Sequence, residues 1–327
     1  MSDQPFYHQR PNKFIDRELF VQVLRGLSHL LPIKNYHYYG FGSFYFDDFK
    51  IMHNQLDISK LTSLESDDHV YKRALFNNPL KCIDILHTTS TEFITEFNPE
   101  DSDRSIFWLD YTSAGQIAEQ FMDYCNLLQK LSAGDIVRIT LNAHVANLGY
   151  EKSDLSPEEK QEKRLTKLRE LLGDFVPMQC TTADFTSGKY PSVLMRCIQN
   201  ATFATLKESK YQKEFLLPLY ATTYADNQRM MTFTGIVLND HDNEDKIKAL
   251  VTDQRYCCCD WKKLNAIDIP ALTPIEIAAI NKKLPIERDE QLSAIKDELP
   301  GTFTSDAALR SYIAYYKYYP SFHHVVF

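Results

Sequence analysis

Two glycines separated by one residue, Gly40 and Gly42, interrupt an aromatic stretch and are followed directly by Ser43. A glycine turn between a strand and a helix lets backbone N–H groups approach an anionic or polar ligand, because no side chain stands between them. The third glycine of the dinucleotide-binding fingerprint is missing. The turn alone therefore predicts a close approach of backbone and ligand, and an ordinary tight turn explains it equally well.

Glu65 is a carboxylate that could share a ligand with this turn. It comes 23 residues after Gly42 and closes the next apolar run, Leu61–Glu65. A carboxylate at the end of that strand accepts hydrogen bonds from both hydroxyls of a ribose. The glycine turn and Glu65 together favour a nucleoside ligand, because one such ligand would contact both.

Asp110 and Asp48 are the candidate catalytic carboxylates. Asp110 is predicted to end a later strand, and open α/β sheets place their ligand crevice at that edge. Asp48 follows the glycine turn closely and is the second candidate. Each has a structural alternative: Asp110 could cap the helix that begins near Ser113, and Asp48 could be a first-turn acidic residue that the helix dipole favours.

An alternation of short apolar strands with helices positions these residues. A helix is predicted over 14–31, followed by an aromatic strand that ends in the glycine turn. Further strands are predicted at 61–65, 82–86, 105–110 and 135–142, with helices between them at 46–56, 66–76, 90–97 and 114–131. Strands separated by helices predict an α/β fold with a parallel, doubly wound, Rossmann-like sheet.

The rhythm changes after residue 142. Helices over 156–172 and 191–207 predict an insertion at about 143–210, and two apolar runs, 215–224 and 230–238, predict a hairpin that adds an antiparallel edge to the sheet. We therefore expect one Rossmann-like domain over 1–245. The aromatic remainder, 246–327, is expected to pack on it as a C-terminal extension that could contact a partner protein or a second copy of the chain.

The composition excludes some classes of function. A formal net charge of −8 argues against a nucleic-acid binder that neutralises many phosphates. No run approaches the ~18 uninterrupted apolar residues of a membrane span, and the first residues lack the basic-then-apolar pattern of a signal peptide. The sequence thus predicts a cytoplasmic protein without a membrane anchor.

Seven cysteines in such a chain are expected to be reduced thiols. Three of them, Cys257–Cys259, are adjacent, whereas metal ligands are usually spaced as Cys-x-x-Cys. We expect these thiols to pack in the core and predict no metal site. His323 and His324, near the C-terminus, are expected at the surface.

Four runs together resemble the successive motifs of the class I S-adenosylmethionine-dependent methyltransferases: Tyr39–Phe49, Leu61–Asp67, Asn78–Ile85 and Ile106–Tyr111. More narrowly, the chain resembles a bacterial group described only as O-methyltransferases, which also carries an Arg-Pro-x-Lys element like Arg10–Lys13. The resemblance covers about residues 10–145, with the 215–238 hairpin in the place of that fold's terminal antiparallel strand. It implies S-adenosylmethionine-dependent methyl transfer, directed to an oxygen of an acceptor that no motif identifies.

The resemblance also implies where the cofactor would lie. Gly40 and Gly42 would lie under its methionine part, Ser43 would be a further cofactor-binding residue, and Glu65 would bind its ribose hydroxyls. Its adenine would lie near Ser66–Asp67.

Asp110 would face the methyl-transfer site in the fold that the chain resembles. Two departures from the family pattern bear on activity. The acidic residue that usually opens the first motif is replaced by an aromatic one, Tyr38 or Tyr39, and Leu109–Thr112 stands in place of the Asn/Asp-Pro-Pro-Tyr motif of DNA amino-methylating enzymes. Two alternatives stay open: a catalytically inactive methyltransferase-like subunit of a larger bacterial assembly, and an enzyme that uses a nicotinamide cofactor on the same fold.

Overall fold

The computed structural model describes residues 10–99, 104–151, 154–208, 215–239, 241–251, 256–286, 290–296, 299 and 305–320. Its strands are β1 (His37–Gly40), β2 (Lys60–Glu65), β3 (Ile83–His87), β4 (Ser105–Asp110), β5 (Ile136–Asn142), β6 (Phe215–Ala225), β7 (Arg229–Leu238) and β8 (Asn265–Ile267). Its α-helices are α1 (Pro11–Leu27), α2 (Asp47–Leu56), α3 (Asp68–Asn77), α4 (Ser90–Glu96), α5 (Ile117–Leu128), α6 (Pro157–Leu172), α7 (Tyr190–Glu208), α8 (His241–Val251), α9 (Pro274–Asn281), α10 (Glu290–Lys296) and α11 (Asp306–Tyr315).

The strands form one sheet in the order β3-β2-β1-β4-β5-β7-β6-β8. Strands β1 to β5 pair in parallel, and β7 runs antiparallel to β5. The predicted α/β class, with a doubly wound, mostly parallel Rossmann-like sheet, is confirmed. The predicted hairpin, β6 and β7, is present but is not the outermost edge, because β8 lies beyond β6.

Both faces of β4 are covered, which explains why its centre has no charged residue. Trp108 packs edge-on against Phe20 of α1, with ring centroids 5.8 Å apart. Phe107 and Leu109 point the other way, into the core cluster to which α5 and α7 contribute. Parallel strands that helices cover on both faces have continuous apolar sequences of this kind.

The strand register brings the candidate site residues to one edge of the sheet. Gly40, the last residue of β1, is the partner of Ser63 in β2, and Asp110, the last residue of β4, is the partner of Thr140 in β5. Glu65 ends β2 two residues after Ser63. The glycine turn, Glu65 and Asp110 therefore follow neighbouring strands at their carboxyl ends, the edge where open α/β sheets bind ligands.

Several predicted helix bounds were wrong, among them the start of α1, which is Pro11 rather than residue 14, and the end of α5, which is Leu128 rather than residue 131. Helix α1 ends at Leu27 rather than at residue 31, and turns at 28–31 precede Pro32, whose ring disfavours helical geometry in the residue before it. Helix α5 begins at Ile117 rather than at residue 114, because Gly115 lies just before it and glycine is a poor helix former. By contrast, Ser156 caps α6 as predicted, accepting a hydrogen bond from the backbone of Glu159.

The chain divides into two compact units. The larger comprises Phe20–Thr223 and Asn227–Asn265, and the smaller combines residues from 1–19, 224–226 and 266–327. Within the smaller unit, Asn12 joins distant segments: its Nδ2 donates to Asp226 Oδ1 at 3.1 Å, and its Oδ1 accepts from the backbone N–H of Ile269 at 2.9 Å. The boundary near residue 245, and the packing of the 246–327 extension on the main domain, stay predictions.

Candidate functional site

The turn between β1 and α2 has no room for a side chain at Gly42. A Cβ atom at this position would lie 2.7 Å from Cδ1 of Phe46 and 2.8 Å from Oγ of Ser63. The left-handed backbone conformation falls on Ser43 and Phe46 instead, with φ of 51° and 52°. Such angles are unfavourable for residues that carry a Cβ atom, so the surrounding contacts must hold the turn in this shape.

The carboxylate of Glu65 makes the contact that holds the turn. Its Oε1 accepts the backbone N–H of Ser43 at 2.6 Å and the hydroxyl of Ser63 at 3.1 Å. The Ser63 oxygen in turn accepts the backbone N–H of Gly42 at 2.9 Å. Sequence reasoning missed Ser63, which lies fully buried inside β2 and shows only as a hydroxyl within an apolar strand.

Burial raises the pKa of Glu65 to about 7, from an ordinary value of 4.5. The hydrogen bonds from Ser63 and Ser43 act in the opposite direction, because they stabilise the charged form, and the negative charges of Asp48 and Asp67 add to the increase. Glu65 is only 6% exposed, so its desolvation dominates. A carboxyl group at the ligand edge of the sheet therefore changes charge near neutral pH.

Asp67 lies two residues beyond Glu65 and begins α3. Its Oδ1 accepts the backbone N–H groups of His69 and Val70, each at 3.0 Å, so it is the N-cap of that helix. Ser66, between Glu65 and Asp67, is exposed. The capping contact gives Asp67 a structural role, whether or not it also contacts a ligand.

Tyr38 is one of the two aromatic residues at the start of the first motif, and it contacts an acidic residue of α2. Its hydroxyl donates to Oδ2 of Asp48 at 2.7 Å, and both side chains are buried. Tyr39 points away from this pair and stacks on Phe107, with ring centroids 4.5 Å apart. Asp48 lies in the first turn of α2, as predicted, and its carboxylate is engaged with β1.

Asp110 is partly exposed at the end of β4. It does not cap the following helix, since α5 has Gln116 at its N-cap. The residue after it, Tyr111, lies 5.7 Å from Phe41 of the glycine turn, measured between ring centroids. The structure thus brings the loop after Asp110 into contact with the glycine turn.

A buried carboxylate of α5 holds Tyr111. The Tyr111 hydroxyl donates to Oδ2 of Asp123 at 2.8 Å, and the hydroxyl of Ser90 donates to the same oxygen at 2.6 Å. Burial and the nearby Asp123 charge raise the pKa of Tyr111 well above its ordinary value. Tyr111 therefore stays neutral and serves as a hydrogen-bond donor.

Asn142, the last residue of β5, organises the neighbouring loops. Its Nδ2 donates to the backbone oxygen of Thr112 at 3.3 Å, and its Oδ1 accepts from the backbone of His144 at 3.0 Å and from Nδ2 of Asn147 at 2.8 Å. A small cleft opens beside these loops, with Asn142, His144, Asn147 and Gln120 among its walls. The sequence analysis named none of them, although a polar residue at the end of a buried strand was a signal for Asn142.

The prediction that the three adjacent cysteines pack in the core was wrong. Cys257–Cys259 lie in a loop and are half-buried, because the chain forms no strand there. Burial raises the pKa of Cys259 to about 11. Among the residues that the structure describes, no three His, Cys, Asp or Glu side chains are grouped as metal ligands. His323 and His324 lie outside the described residues.

A family model matches almost the whole chain. The family described as "Putative O-methyltransferase" matches residues 5–327. The chain belongs to this family. The match extends beyond residues 10–145, the part in which the sequence carries the methyltransferase motifs.

Solved methyltransferases are similar to this family member, at a distance. An N-methyltransferase, NodS from Bradyrhizobium japonicum, is 10% identical with a TM-score of 0.36, over 68% of this chain and 96% of that one. An O-methyltransferase from Bacillus cereus in complex with SAH is 9% identical with a TM-score of 0.36, over 71% of this chain and 84% of that one. None of the curated proteins matches. The O-methyltransferase family match therefore carries the assignment.

One further finding concerns the membrane. Within the described ranges of this O-methyltransferase-family protein, no helix is both long and apolar enough to cross a bilayer.

Proposed function

We propose that the chain binds S-adenosylmethionine at the glycine turn and transfers its methyl group to a hydroxyl oxygen of an acceptor. The observation that carries the proposal is the contact of Glu65 with the turn: one buried carboxylate reaches both Ser43 and, through Ser63, Gly42. These groups lie where family membership leads us to expect an adenosyl cofactor.

The residues present fit that cofactor. Gly42 carries no Cβ in a place where one would collide with Ser63, so the backbone of the turn is packed as closely as a glycine allows. Glu65 accepts hydrogen bonds through one carboxylate oxygen from two protein donors, and a carboxylate has lone pairs on both oxygens for further donors. Ribose hydroxyls are donors of this kind.

The cofactor-binding roles follow the chain around the edge of the sheet. Gly40, Gly42 and Ser43 support the methionine part, Glu65 accepts from the ribose hydroxyls, and Ser66–Asp67 lie near the adenine. Because Asp67 caps α3, it also fixes where that helix begins beside the ligand.

Asp110 and Asp48 take different roles in this proposal. Asp110 is partly exposed at the strand end and faces the methyl-transfer position, where it orients the cofactor or the acceptor. Asp48 is buried and accepts a hydrogen bond from the Tyr38 hydroxyl, so it helps to hold the first motif in position. The Tyr38–Asp48 pair stands where related folds carry a single acidic residue.

The chemistry asks little of the protein beyond position. When bound, S-adenosylmethionine supplies a methyl group that is electrophilic because it is attached to a sulfonium. The chain holds the acceptor oxygen in line with that methyl and excludes water, an arrangement that alone is worth several orders of magnitude in rate. A base is needed only where the acceptor must lose a proton.

A thermal-shift titration tests the proposal. S-adenosylmethionine and S-adenosylhomocysteine should each raise the unfolding temperature, since a ligand at 100 times its Kd adds about 2.7 kcal/mol to the free energy of unfolding. NAD at the same concentration should leave it unchanged. Stabilisation by NAD alone would support the nicotinamide alternative, and no stabilisation by either adenosyl ligand would refute the proposal.

A further inference from the structure

Resting on the proposed function, we infer that pH regulates binding of the cofactor, because a proton and the ribose compete for the same oxygen of Glu65. The cofactor then binds with release of that proton, and mild acid weakens its binding. The inference adds a regulatory property to the residue that was assigned to the ribose hydroxyls. It depends on which oxygen of Glu65 the protein already uses and on the charges around that side chain.

The protein uses one of the two carboxyl oxygens of Glu65. Oε1 accepts the backbone N–H of Ser43 at 2.6 Å and the hydroxyl of Ser63 at 3.1 Å. Within the described ranges of the chain, Oε2 accepts no hydrogen bond. Because an oxygen with two donors has no lone pair to spare, Oε2 is the atom that a ribose hydroxyl can reach, and it is also the atom that carries the proton of the neutral acid.

A proton on Oε2 and a bound ribose oppose each other. An ionised carboxylate only accepts hydrogen bonds, whereas the neutral acid presents an O–H donor in the place of one acceptor. The ribose hydroxyls would meet that donor instead of a charged oxygen. Hydrogen bonds to the charged form of a carboxyl favour that form, so the bound ribose weakens proton binding by the same factor by which the proton weakens ribose binding.

The surroundings of Glu65 favour the proton when no cofactor is bound. The side chain is 6% exposed, and both groups that donate to it are neutral. The charges that act on it are those of Asp48 on α2 and Asp67 at the start of α3, both negative. On β3, its register partner is His87. Burial and the two carboxylates raise the pKa of Glu65 to about 7.

The cations of α2 and α3 are engaged with other groups. Two pairs each join residues of one helix: Lys50 with Asp47 at 3.3 Å, and Lys72 with Asp68 at 2.5 Å. The guanidinium of Arg73 lies over the ring of Phe44, 3.8 Å from its centroid. In the part of the chain that the structure describes, none of these cations pairs with Glu65, so none of them replaces the proton as its counter-charge.

The direction of the pH effect follows from this competition. Above about pH 7 the carboxyl of the unliganded chain is ionised, and the ribose has no proton to displace. Below that pH the proton must pass from Oε2 to solvent before the ribose hydroxyls can donate to this oxygen. The affinity therefore falls by about tenfold for each pH unit, until the lower pKa of the liganded state is reached.

Calorimetry on the unmodified full chain counts the proton directly. S-adenosylhomocysteine would be titrated at pH 6 in PIPES and in bis-tris, and at pH 8 in HEPES and in Tris, since the buffers of each pair differ in their heat of ionisation. We expect release of about one proton per ligand at pH 6 and of almost none at pH 8. The Kd should be at least about tenfold higher at pH 5.5 than at pH 8. No release at pH 6, or an equal Kd at both extremes, would overturn the inference.

A matched pair of variants assigns the proton to Glu65. Glu65→Gln is neutral at every pH, so it should bind S-adenosylhomocysteine at least about tenfold more weakly than the unmodified chain at pH 8, and without proton release at pH 6. Glu96→Gln removes an exposed carboxyl of α4 and should keep both the pH dependence and the proton release. Equal release in the two variants would overturn the assignment.

His87→Gln tests the neighbouring source of a proton, since imidazoles also change charge near neutral pH. This variant should release about one proton at pH 6, as the unmodified chain does, and loss of the release would overturn the role of Glu65. Absence of S-adenosylhomocysteine binding to the unmodified chain at every pH would instead refute the proposed function. Binding that is tight but independent of pH would refute only the competition, so the two failures are distinguishable.

Discussion

Oε1 of Glu65 lies 2.6 Å from the backbone nitrogen of Ser43. This hydrogen bond joins the last residue of β2 to the turn after β1, at the edge of the sheet where both strands end. The bonded oxygen belongs to a carboxyl group that burial holds at a raised pKa of about 7. The ionisation state of Glu65 therefore couples the conformation of the glycine turn to the pH.

The raised pKa of Glu65 predicts a pH-dependent stability. The folded chain retains a proton that the unfolded chain releases near pH 4.5, so its contribution to the free energy of unfolding is full below pH 4.5 and is lost as the pH rises through about 7. The loss is about 3 kcal/mol at most. In Glu65→Gln, denaturant unfolding at pH 5 and pH 8 should show a smaller difference than in the unmodified chain.

Glu96→Gln, an exposed position on α4, is the control for that measurement and should keep the original pH dependence. An identical dependence in Glu65→Gln and Glu96→Gln would mean that Glu65 ionises normally.

Gly42 should tolerate no side chain. In Gly42→Ala the new Cβ must displace Phe46 or Ser63, and such overpacking typically costs about 1–3 kcal/mol. The same displacement breaks the Gly42–Ser63–Glu65 chain, so the affinity for S-adenosylhomocysteine should fall at least tenfold. Gly115→Ala is the matched control, because a Cβ there meets nothing within 4 Å. Similar behaviour of the two variants in thermal unfolding and in binding would contradict the account of the turn.

Tyr38 and Asp48 should be energetically coupled. Tyr38→Phe removes the hydroxyl that donates to a buried carboxylate, a loss worth about 1–3 kcal/mol. A double-mutant cycle with Asp48→Asn, measured by denaturant unfolding, should give a coupling energy of at least about 0.5 kcal/mol. If Asp48 acts through support of the turn and not as a base, Asp48→Asn retains methyl transfer; complete loss of transfer in a folded Asp48→Asn would contradict this.

Tyr111 should depend on Asp123 for its position. Tyr111→Phe removes the 2.8 Å hydrogen bond to that carboxylate and should cost about 1.5–3 kcal/mol, the range for bonds to a charged group. Asp123 keeps its bond from Ser90, so Ser90→Ala together with Tyr111→Phe should cost more than either change alone. If the single and double variants lose almost no free energy of unfolding in urea, the Asp123 carboxylate is better solvated than the structure indicates.

The ends of the strands were predictable from the sequence, and with them much of the site. Apolar runs separated by helices predicted that Gly40, Glu65 and Asp110 lie at the carboxyl ends of parallel strands, which share one edge of the sheet. That these three strands are neighbours is seen only in the structure. The pattern was strong here because both faces of the sheet are covered and the strands are continuously apolar.

Contacts across the sheet and between loops were not predictable in the same way. Ser63 looks like one more strand residue until the register places it beside Gly40. Gln120 of α5 and His144, two residues after β5, line one cleft although 24 residues separate them in the sequence. Such meetings depend on helix starts and loop paths, which the spacing of apolar residues does not determine.

Calorimetric titration of the full chain with S-adenosylhomocysteine tests the central claim most directly. The account predicts one binding site per chain, at least tenfold weaker binding to Glu65→Ala, and unchanged binding to Glu96→Ala. Equal affinity of Glu65→Ala and the unmodified chain, or no heat of binding in any of the three, would contradict an adenosyl site built on the glycine turn and Glu65.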